Sequence, residues 1–108
     1  MPQPVLIFTT MPDDERVDAL ARALVDEHLA ACVNVHAPMT SVYRWQGQIE
    51  RESERQVVIK TTRDRLPAVE SRLHALHPYE LPEFLVVPIE GGSAAYLTWV
   101  AEETKGRV

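Results

Sequence analysis

Two places in this sequence hold the residues best suited to bind a soft or borderline metal ion. Cys32 is the only cysteine among the 108 residues, and a thiolate is a good ligand for copper or zinc. His77 opens a proline-stiffened loop that also holds the carboxylates of Glu80 and Glu83. These four residues are therefore the candidate ligands for Cu2+ or another divalent cation.

The two strongest candidate ligands also have purely structural interpretations. Cys32 is next to Val33 in a strand pattern, and cysteine is among the most buried residue types. His77 comes at the end of a helical pattern, where an imidazole can bond the last carbonyl groups of the helix. The residue types alone leave both interpretations open.

Three glutamates alternate along a predicted strand, at positions 50, 52 and 54. Because successive side chains of a strand point to opposite faces, these three lie on the same face. They could bind a hard cation, but a solvated strand face, or ion pairs with a second subunit, is the favoured interpretation.

The sequence carries no recognisable catalytic motif. It has no glycine-rich phosphate loop, no His-Glu-x-x-His pattern and no nucleophile elbow. Cys32 and a histidine could formally act as nucleophile and base, but nothing in their spacing supports that pairing. We therefore expect a protein that is not an enzyme and requires no cofactor.

The composition narrows the class of protein. An apolar fraction of 45% and a charged fraction of 25% are typical of a globular chain, and 108 residues make a single domain, residues 1–108. The net charge of −5 disfavours broad binding to nucleic acid or to an anionic membrane. No apolar run approaches the roughly 18 residues of a membrane span, so neither partner is expected.

The expected compartment is the cytoplasm. A single cysteine excludes a disulfide within one chain and fits a reducing environment. The first eight residues contain no lysine or arginine, and their apolar run of four residues is shorter than that of a secretory signal.

The elements that must position these residues follow from the spacing of apolar side chains. The pattern predicts a strand over 5–10, a helix over 13–29, strand segments 31–36 and 41–45 around a bend, a long strand over 49–62, a helix over 63–76, a buried strand over 84–89 and a final helix capped by Ser93. The order is β-α-β-β-α-β plus a C-terminal helix. This is the α+β, ferredoxin-like split βαβ fold, with helices on one face of an antiparallel sheet.

The central hairpin is too long for one small domain. About 15 extended residues span about 50 Å, whereas a domain of this size has a radius of gyration of about 13 Å. The hairpin must bend or lie on a neighbouring chain. Tyr43 and Trp45 near its tip favour the neighbour, which predicts an oligomer.

Five segments give the sequence a resemblance to a known family. They are residues 31–34 (ACVN), 41–50 (SVYRWQGQIE), 59–61 (IKT), 77–83 (HPYELPE) and 96–100 (YLTWV). In this order and spacing they resemble the CutA family of divalent-cation tolerance proteins, over about residues 5–104.

This resemblance implies an assembly and a function. It implies a homotrimer similar in architecture to the PII signalling proteins, with strands of neighbouring subunits paired along the long hairpins. Tyr43, Trp45 and Trp99 are then expected at the trimer interface. It also implies a role in tolerance to copper and other divalent cations.

The likeness to PII proteins implies a second function. Lys60, Arg63 and Arg65 form a local basic cluster beside the base of the hairpin. Of these, Lys60 and Arg63, together with Tyr79, could line an inter-subunit cleft for a small anionic ligand. The protein would then be a sensor or scaffold with an indirect metal phenotype. The structural interpretation of the same cluster is a solvated helix start.

Overall fold

Four strands and three helices are arranged along the chain in a computed structural model, which describes residues 2–105. They are β1 (Pro4–Pro12), α1 (Glu15–Asp26), β2 (Cys32–Trp45), β3 (Gln48–Thr62), α2 (Leu66–Leu76), β4 (Leu85–Pro88) and α3 (Ala94–Glu103). The strands form one antiparallel sheet in the order β2-β3-β1-β4. The predicted ferredoxin-like order with an added C-terminal helix is confirmed.

The two faces of the sheet differ in what covers them. Alternate side chains of β1 are fully buried because α1 and α2 pack on that side; they are Val5, Ile7, Thr9 and Met11. We call this side the helix face. The opposite side, which carries Leu6, Phe8 and their pairing partners on β3 and β4, is the open face. Of the three helices, α3 is the one that contacts the open face, near Lys60, whose Nζ lies 3.5 Å from the hydroxyl of Tyr96.

Helix α1 is shorter than the predicted span of residues 13–29. Asp14 caps its start, because its carboxylate accepts a hydrogen bond of 2.9 Å from the backbone N–H of Arg16 and pairs with that residue's guanidinium at 2.7 Å. Beyond its end, His28 takes a left-handed backbone conformation with φ of 60°. The helix therefore ends before the predicted boundary.

The predicted helix over residues 63–76 is divided in two. A 3-10 turn, Arg63–Arg65, precedes α2. Pro67 lies in the first turn of α2, where its missing N–H leaves no bond unmade. Val69 and Leu73, four residues apart on α2, are fully buried.

Strands β2 and β3 form the long hairpin. Gln46 and Gly47 connect them with φ of 49° and 82°, the two positive values of a type I′ turn. Strand β2 is one continuous strand, whereas two segments separated by a bend were predicted. At the predicted bend the pairing with β3 shifts register, between Val35 and Pro38. Pro38 has no N–H to donate to the ladder, which explains the shift.

The outer half of the hairpin extends away from the core. Six of the first seven residues of β3 have exposed or half-exposed side chains, whereas every second residue is buried from Val57 to Thr61. The molecule is 44 Å long and only 23 Å thick. The predicted overhang is therefore present in the subunit.

Strand β4 corrects one prediction. The continuous apolar run predicted a buried strand over residues 84–89, but all four residues of β4 are exposed in the subunit. The reason is its place at the edge of the sheet, where it pairs only with β1 and no helix covers it. Leu85 and Val87 of this strand remain 55% and 39% exposed.

Helix α3 begins where predicted. The hydroxyl of Ser93 accepts a hydrogen bond of 3.2 Å from the backbone N–H of Tyr96. Val100 and Ala101 are buried, but Tyr96 and Trp99 are 45% and 42% exposed, so one side of the helix is partly open to solvent. No helix within residues 2–105 is long and apolar enough to span a bilayer.

Candidate functional site

A depression on the open face lies between the hairpin and the segment that leads into β4. We call it the hairpin–loop cleft; it has a volume of about 690 Å³ and is lined by residues 79–85, by Thr10 and by five hairpin residues. Four aromatic side chains and three carboxylates are among its walls; they are Tyr43, Trp45, Tyr79, Phe84, Glu54, Glu80 and Glu83. None of its lining residues is a lysine, arginine or histidine.

His77 fixes the start of the loop that forms one wall. Its Nε2 donates a hydrogen bond of 2.7 Å to the carbonyl oxygen of Thr10. Its Nδ1 accepts a hydrogen bond of 3.2 Å from the backbone N–H of Tyr79, so the neutral ring carries its hydrogen on Nε2. The ring bridges to β1, and only the backbone N–H of His77 caps α2, by bonding the carbonyl of Leu73. Both ring nitrogens are therefore engaged.

Burial keeps the ring of His77 neutral. The side chain is only 8% exposed, and loss of hydration lowers the pKa below the usual 6.5. The hydrogen bond to Thr10 and the nearby carboxylate of Glu54 oppose that shift without reversing it. The hydrogen bond from the backbone N–H of Tyr79 needs an Nδ1 without hydrogen, which this neutral form of the ring provides.

Tyr79 connects the loop to the hairpin. Its hydroxyl donates a hydrogen bond of 2.7 Å to Oε2 of Glu54 on β3, and its ring lies 4.7 Å from that of His77. Burial, with the adjacent carboxylate of Glu54, raises the pKa of Tyr79 well above its usual value. Tyr79 therefore stays protonated and holds the loop against the strand.

Glu54 differs from the solvated glutamate expected from the strand pattern. It is only 5% exposed, whereas Glu52 on the same face of β3 is exposed. At the second contact between loop and sheet, Gln56 donates to the carbonyl of Thr9 at 2.8 Å and lies 3.5 Å from Oε2 of Glu83. The cleft thus has a buried carboxylate in its floor.

The candidate metal ligands do not meet within one chain. Cys32 is half-buried and pairs with Lys60 on β3, while His77 reaches Thr10, whose partner on β3 is Gln56. Four strand residues separate these levels by about 13 Å. Glu80 and Glu83 line the cleft, away from Cys32. Across the described residues, no group of three or more His, Cys, Asp or Glu side chains is close enough to hold a metal ion.

The predicted anion cleft is likewise divided within one chain. Lys60 lies beside Tyr96 of α3, with its Nζ 5.8 Å from the ring centroid. Arg63 donates a hydrogen bond of 3.1 Å to the side chain of Gln3. Tyr79 lies at the level of Glu54, so the two basic residues are not in the wall it forms.

The predicted interface aromatics are at the surface of the subunit. Tyr43 is 40% exposed and Trp99 is 42% exposed, while Trp45 is half-buried in the cleft. Tyr96 stacks beside Trp99 with ring centroids 5.4 Å apart. Tyr96 is therefore a second exposed aromatic residue beside Trp99, which was predicted at the interface.

The sequence did not indicate the role of Thr10, and it placed Glu54 on a solvated strand face. Thr10 supplies the carbonyl that orients His77, and the burial of Glu54 makes the floor of the cleft. A backbone carbonyl leaves no trace in residue types. For Glu54 a signal was present, since its alternation places it on the same face as Tyr43.

Comparison with known proteins gives the same fold and a family. Residues 5–103 match the family described as CutA1 divalent ion tolerance protein. The chain is 44% identical over 99 residues to the divalent-cation tolerance protein CutA of Thermus thermophilus, covering 92% of this chain and 96% of that protein. The crystal structure of CutA from Xylella fastidiosa superimposes with a TM-score of 0.92 at 45% identity, covering 95% of this chain and 99% of that one.

A plant relative is longer. The chain is 38% identical over 101 residues to the chloroplastic protein CutA of Arabidopsis thaliana. That alignment covers 94% of this chain but only 56% of the plant protein, about half its length.

Proposed function

Because the chain belongs to the CutA1 family of divalent ion tolerance proteins, we propose that it acts in divalent-cation tolerance as a homotrimer that binds a metal ion, copper foremost, without catalysing a reaction. The observation that carries the proposal is the uncovered apolar surface of strand β4. A four-residue apolar edge strand with every side chain exposed is an unusual end for a sheet. A neighbouring copy would bury it.

The other sheet edge supports the same assembly. Strand β2 is 14 residues long and has one paired side, which leaves a row of unpaired backbone groups along a protruding hairpin. Proteins cover or blunt such edges because they otherwise pair with other chains. Pairing with a neighbouring subunit satisfies those groups, and Tyr43, Trp45 and Trp99 would pack in the contact.

We expect the protein to sediment at micromolar concentration with three times the 12.2 kDa mass of one chain. Replacing Val87, 39% exposed in β4, by lysine should dissociate the trimer because the ammonium group would be buried at the contact. Sedimentation velocity at several concentrations measures the mass of the wild-type assembly and its dissociation in Val87→Lys.

Val25 provides the matched control for that variant. It is 42% exposed on α1, and Val25→Lys should leave the trimer intact. A wild-type protein that sediments as a monomer at micromolar concentration would contradict the proposal, and so would dissociation by both variants.

We propose that metal binding draws on more than one subunit. Within a single chain the candidate ligands Cys32, His77, Glu80 and Glu83 do not form a three-ligand set. Cys32 is the leading ligand, because it is a thiol on an edge strand and the residue is only half-buried. His77 would have to release a hydrogen bond to bind metal, which makes it the weaker of the two.

A copper titration against a competing chelator tests this assignment. We expect stoichiometric binding to the wild-type trimer that Cys32→Ser weakens at least tenfold, because a hydroxyl is a much poorer ligand for copper than a thiolate. His77→Gln should weaken binding less, and His74→Gln, a change at an exposed histidine of the same helix, should have no effect. Weak binding that neither Cys32→Ser nor His77→Gln alters would contradict direct metal binding.

That negative result would favour the alternative function, a PII-like sensor or scaffold. In this case a small anionic ligand would sit between subunits, with Lys60 and Arg63 of one copy facing Tyr79 of another. The exposed position of Arg63 at the end of the sheet is the feature that would allow it.

We propose the cytoplasm as the compartment, on the basis of the single cysteine. The chloroplastic relative shows that other members of the family are assigned elsewhere. A cell fractionation of the native protein would decide between them.

A further inference from the structure

The outer half of the hairpin presents its aromatic side chains on the face opposite to the one that simple alternation predicts. Val35 of β2 lies on the helix face, where it packs against the core. Tyr43 and Trp45 are an even number of residues farther along the same strand, so strict alternation would place them on that face too. Both instead line the hairpin–loop cleft on the open face, beside Glu54. The strand therefore changes face between Val35 and Tyr43.

The change of face occurs at the register shift in β2. Val35 pairs with Val57 and Pro38 pairs with Arg55, so the two residues at positions 36 and 37 lie opposite a single residue of β3. This two-against-one arrangement is a β-bulge, which bends a strand and increases its twist. The extra residue also moves every later side chain of β2 to the other face of the sheet.

Arg55 closes the bulge from β3. Its Nε donates a hydrogen bond of 2.7 Å to the backbone carbonyl of His36, one of the two bulged residues. Backbone groups in a bulge leave the regular ladder and then need another partner. None of the ion pairs among residues 2–105 includes Arg55, so no carboxylate competes for its guanidinium there.

The bulge lies where the hairpin leaves the sheet. β1 pairs with β3 as far as Pro12, which is opposite Glu54, and beyond that level β2 and β3 form a ribbon of two strands. Arg55 is the residue of β3 just inside this boundary. A bend at this position is carried by the whole ribbon, so the bulge sets the direction of the outer hairpin.

We propose that Arg55, by closing the bulge, directs the outer hairpin and fixes the face on which it presents Tyr43 and Trp45 to a neighbouring subunit. Arg55 is then a positioning residue for assembly, because it acts through the backbone of His36 and not on the aromatic rings themselves. The consequence for assembly rests on the proposed homotrimer, whereas the effect on the hairpin does not.

Hydrogen exchange of the backbone amides tests the effect on the hairpin. In Arg55→Ala the carbonyl of His36 loses its partner, and amides of residues 39–45 should exchange at least tenfold faster than in the wild type. Arg51→Ala is the matched control, because Arg51 is an exposed arginine on the same strand and the same face. Its amide exchange should equal that of the wild type.

Deletion of Ala37 tests whether Arg55 acts through the bulge. The deletion leaves one residue opposite one, so the ladder can close at His36 while Tyr43 and Trp45 keep their partners on β3 and their face. Arg55→Ala should then cause no further acceleration of amide exchange in the shortened chain, since the carbonyl it served is back in the ladder.

If the shortened chain is not folded by circular dichroism, Arg55→Lys replaces it. An ammonium group can still donate to the carbonyl of His36, so Arg55→Lys should restore most of the amide protection that Arg55→Ala loses.

Subunit exchange tests the consequence for assembly. Unlabelled and isotope-labelled proteins are mixed, and native mass spectrometry follows the appearance of mixed trimers. Arg55→Ala should exchange subunits at least tenfold faster than the wild type, and Arg51→Ala should not.

Three results would overturn the proposal. Unchanged amide exchange in Arg55→Ala would show that its hydrogen bond does not hold the bulge. Equal acceleration by Arg55→Ala in the full-length and shortened chains would show that Arg55 acts elsewhere. Accelerated amide exchange with unchanged subunit exchange would remove its role in assembly. A wild-type protein that never forms mixed trimers would instead contradict the homotrimer, and the amide measurements would still decide the role of Arg55 in the hairpin.

Discussion

Replacing Leu24 by alanine is expected to lower the free energy of unfolding by about 2–5 kcal/mol. Leu24 is fully buried between α1 and the helix face of the sheet. The change removes the hydration gain of the lost methyl groups and leaves a cavity that surrounding side chains only partly fill. Urea unfolding at a fixed protein concentration measures the loss.

Val25 is the adjacent residue on α1, but its side chain points outward and is 42% exposed. Val25→Ala should change the free energy of unfolding by no more than about 0.5 kcal/mol. A similar loss for the two variants would mean that the outer side of α1 is covered, which is incompatible with the described subunit surface.

Replacing His77 by alanine is expected to cost about 2–4 kcal/mol, since it removes a buried ring and leaves the carbonyl of Thr10 and the N–H of Tyr79 without partners. His74 is an exposed histidine on the same helix, and His74→Ala should cost no more than about 0.5 kcal/mol. Equal effects in the two variants would contradict the bridging role of His77.

The same residue should make stability depend on pH. Its folded-state pKa lies below the unfolded value of 6.5, so between the two values the unfolded chain binds more protons. The stabilisation is therefore complete above pH 6.5 and is lost as the pH falls toward the folded-state pKa. The slope cannot exceed about 1.4 kcal/mol per pH unit for one proton.

Comparing wild type with His77→Gln isolates this contribution. Glutamine cannot titrate, so the difference in free energy of unfolding between the two proteins should shrink as the pH is lowered below 6.5. A difference that stays constant from pH 7.5 to pH 5 would show that folding does not lower the pKa of His77.

The order of the elements could be predicted because strands and helices repeat their apolar side chains at different periods. β1 alternates between full and partial burial, and α2 buries Val69 and Leu73 at helical spacing. β4 shows where this reasoning stops. An apolar run predicts that something covers a strand, but it cannot say whether the cover comes from the same chain.

The candidate site was predicted only in part, because its contacts join residues that are distant in the sequence. The loop residues 77–83 and the hairpin were both identified, yet the bond between Tyr79 and Glu54 depends on how the loop crosses the end of β1. Residue types indicated that His77 could bind a metal, whereas its two hydrogen bonds depend on a backbone carbonyl and a backbone N–H. Backbone carbonyl and N–H groups are nearly the same in all residue types, so the sequence does not indicate which of them a side chain will bond.

The central position of β1 constrains the order in which the chain can fold. β1 is the first strand to leave the ribosome, but its two partners are residues 54–62 and 85–88. Contacts of such long sequence separation make folding slow, because the chain loses the entropy of closing a long loop before the strands gain hydrogen bonds and packing contacts. β1 therefore has no partner strand until β3 has been synthesised, and until then its apolar side chains are exposed in the nascent chain, a form that is prone to aggregation.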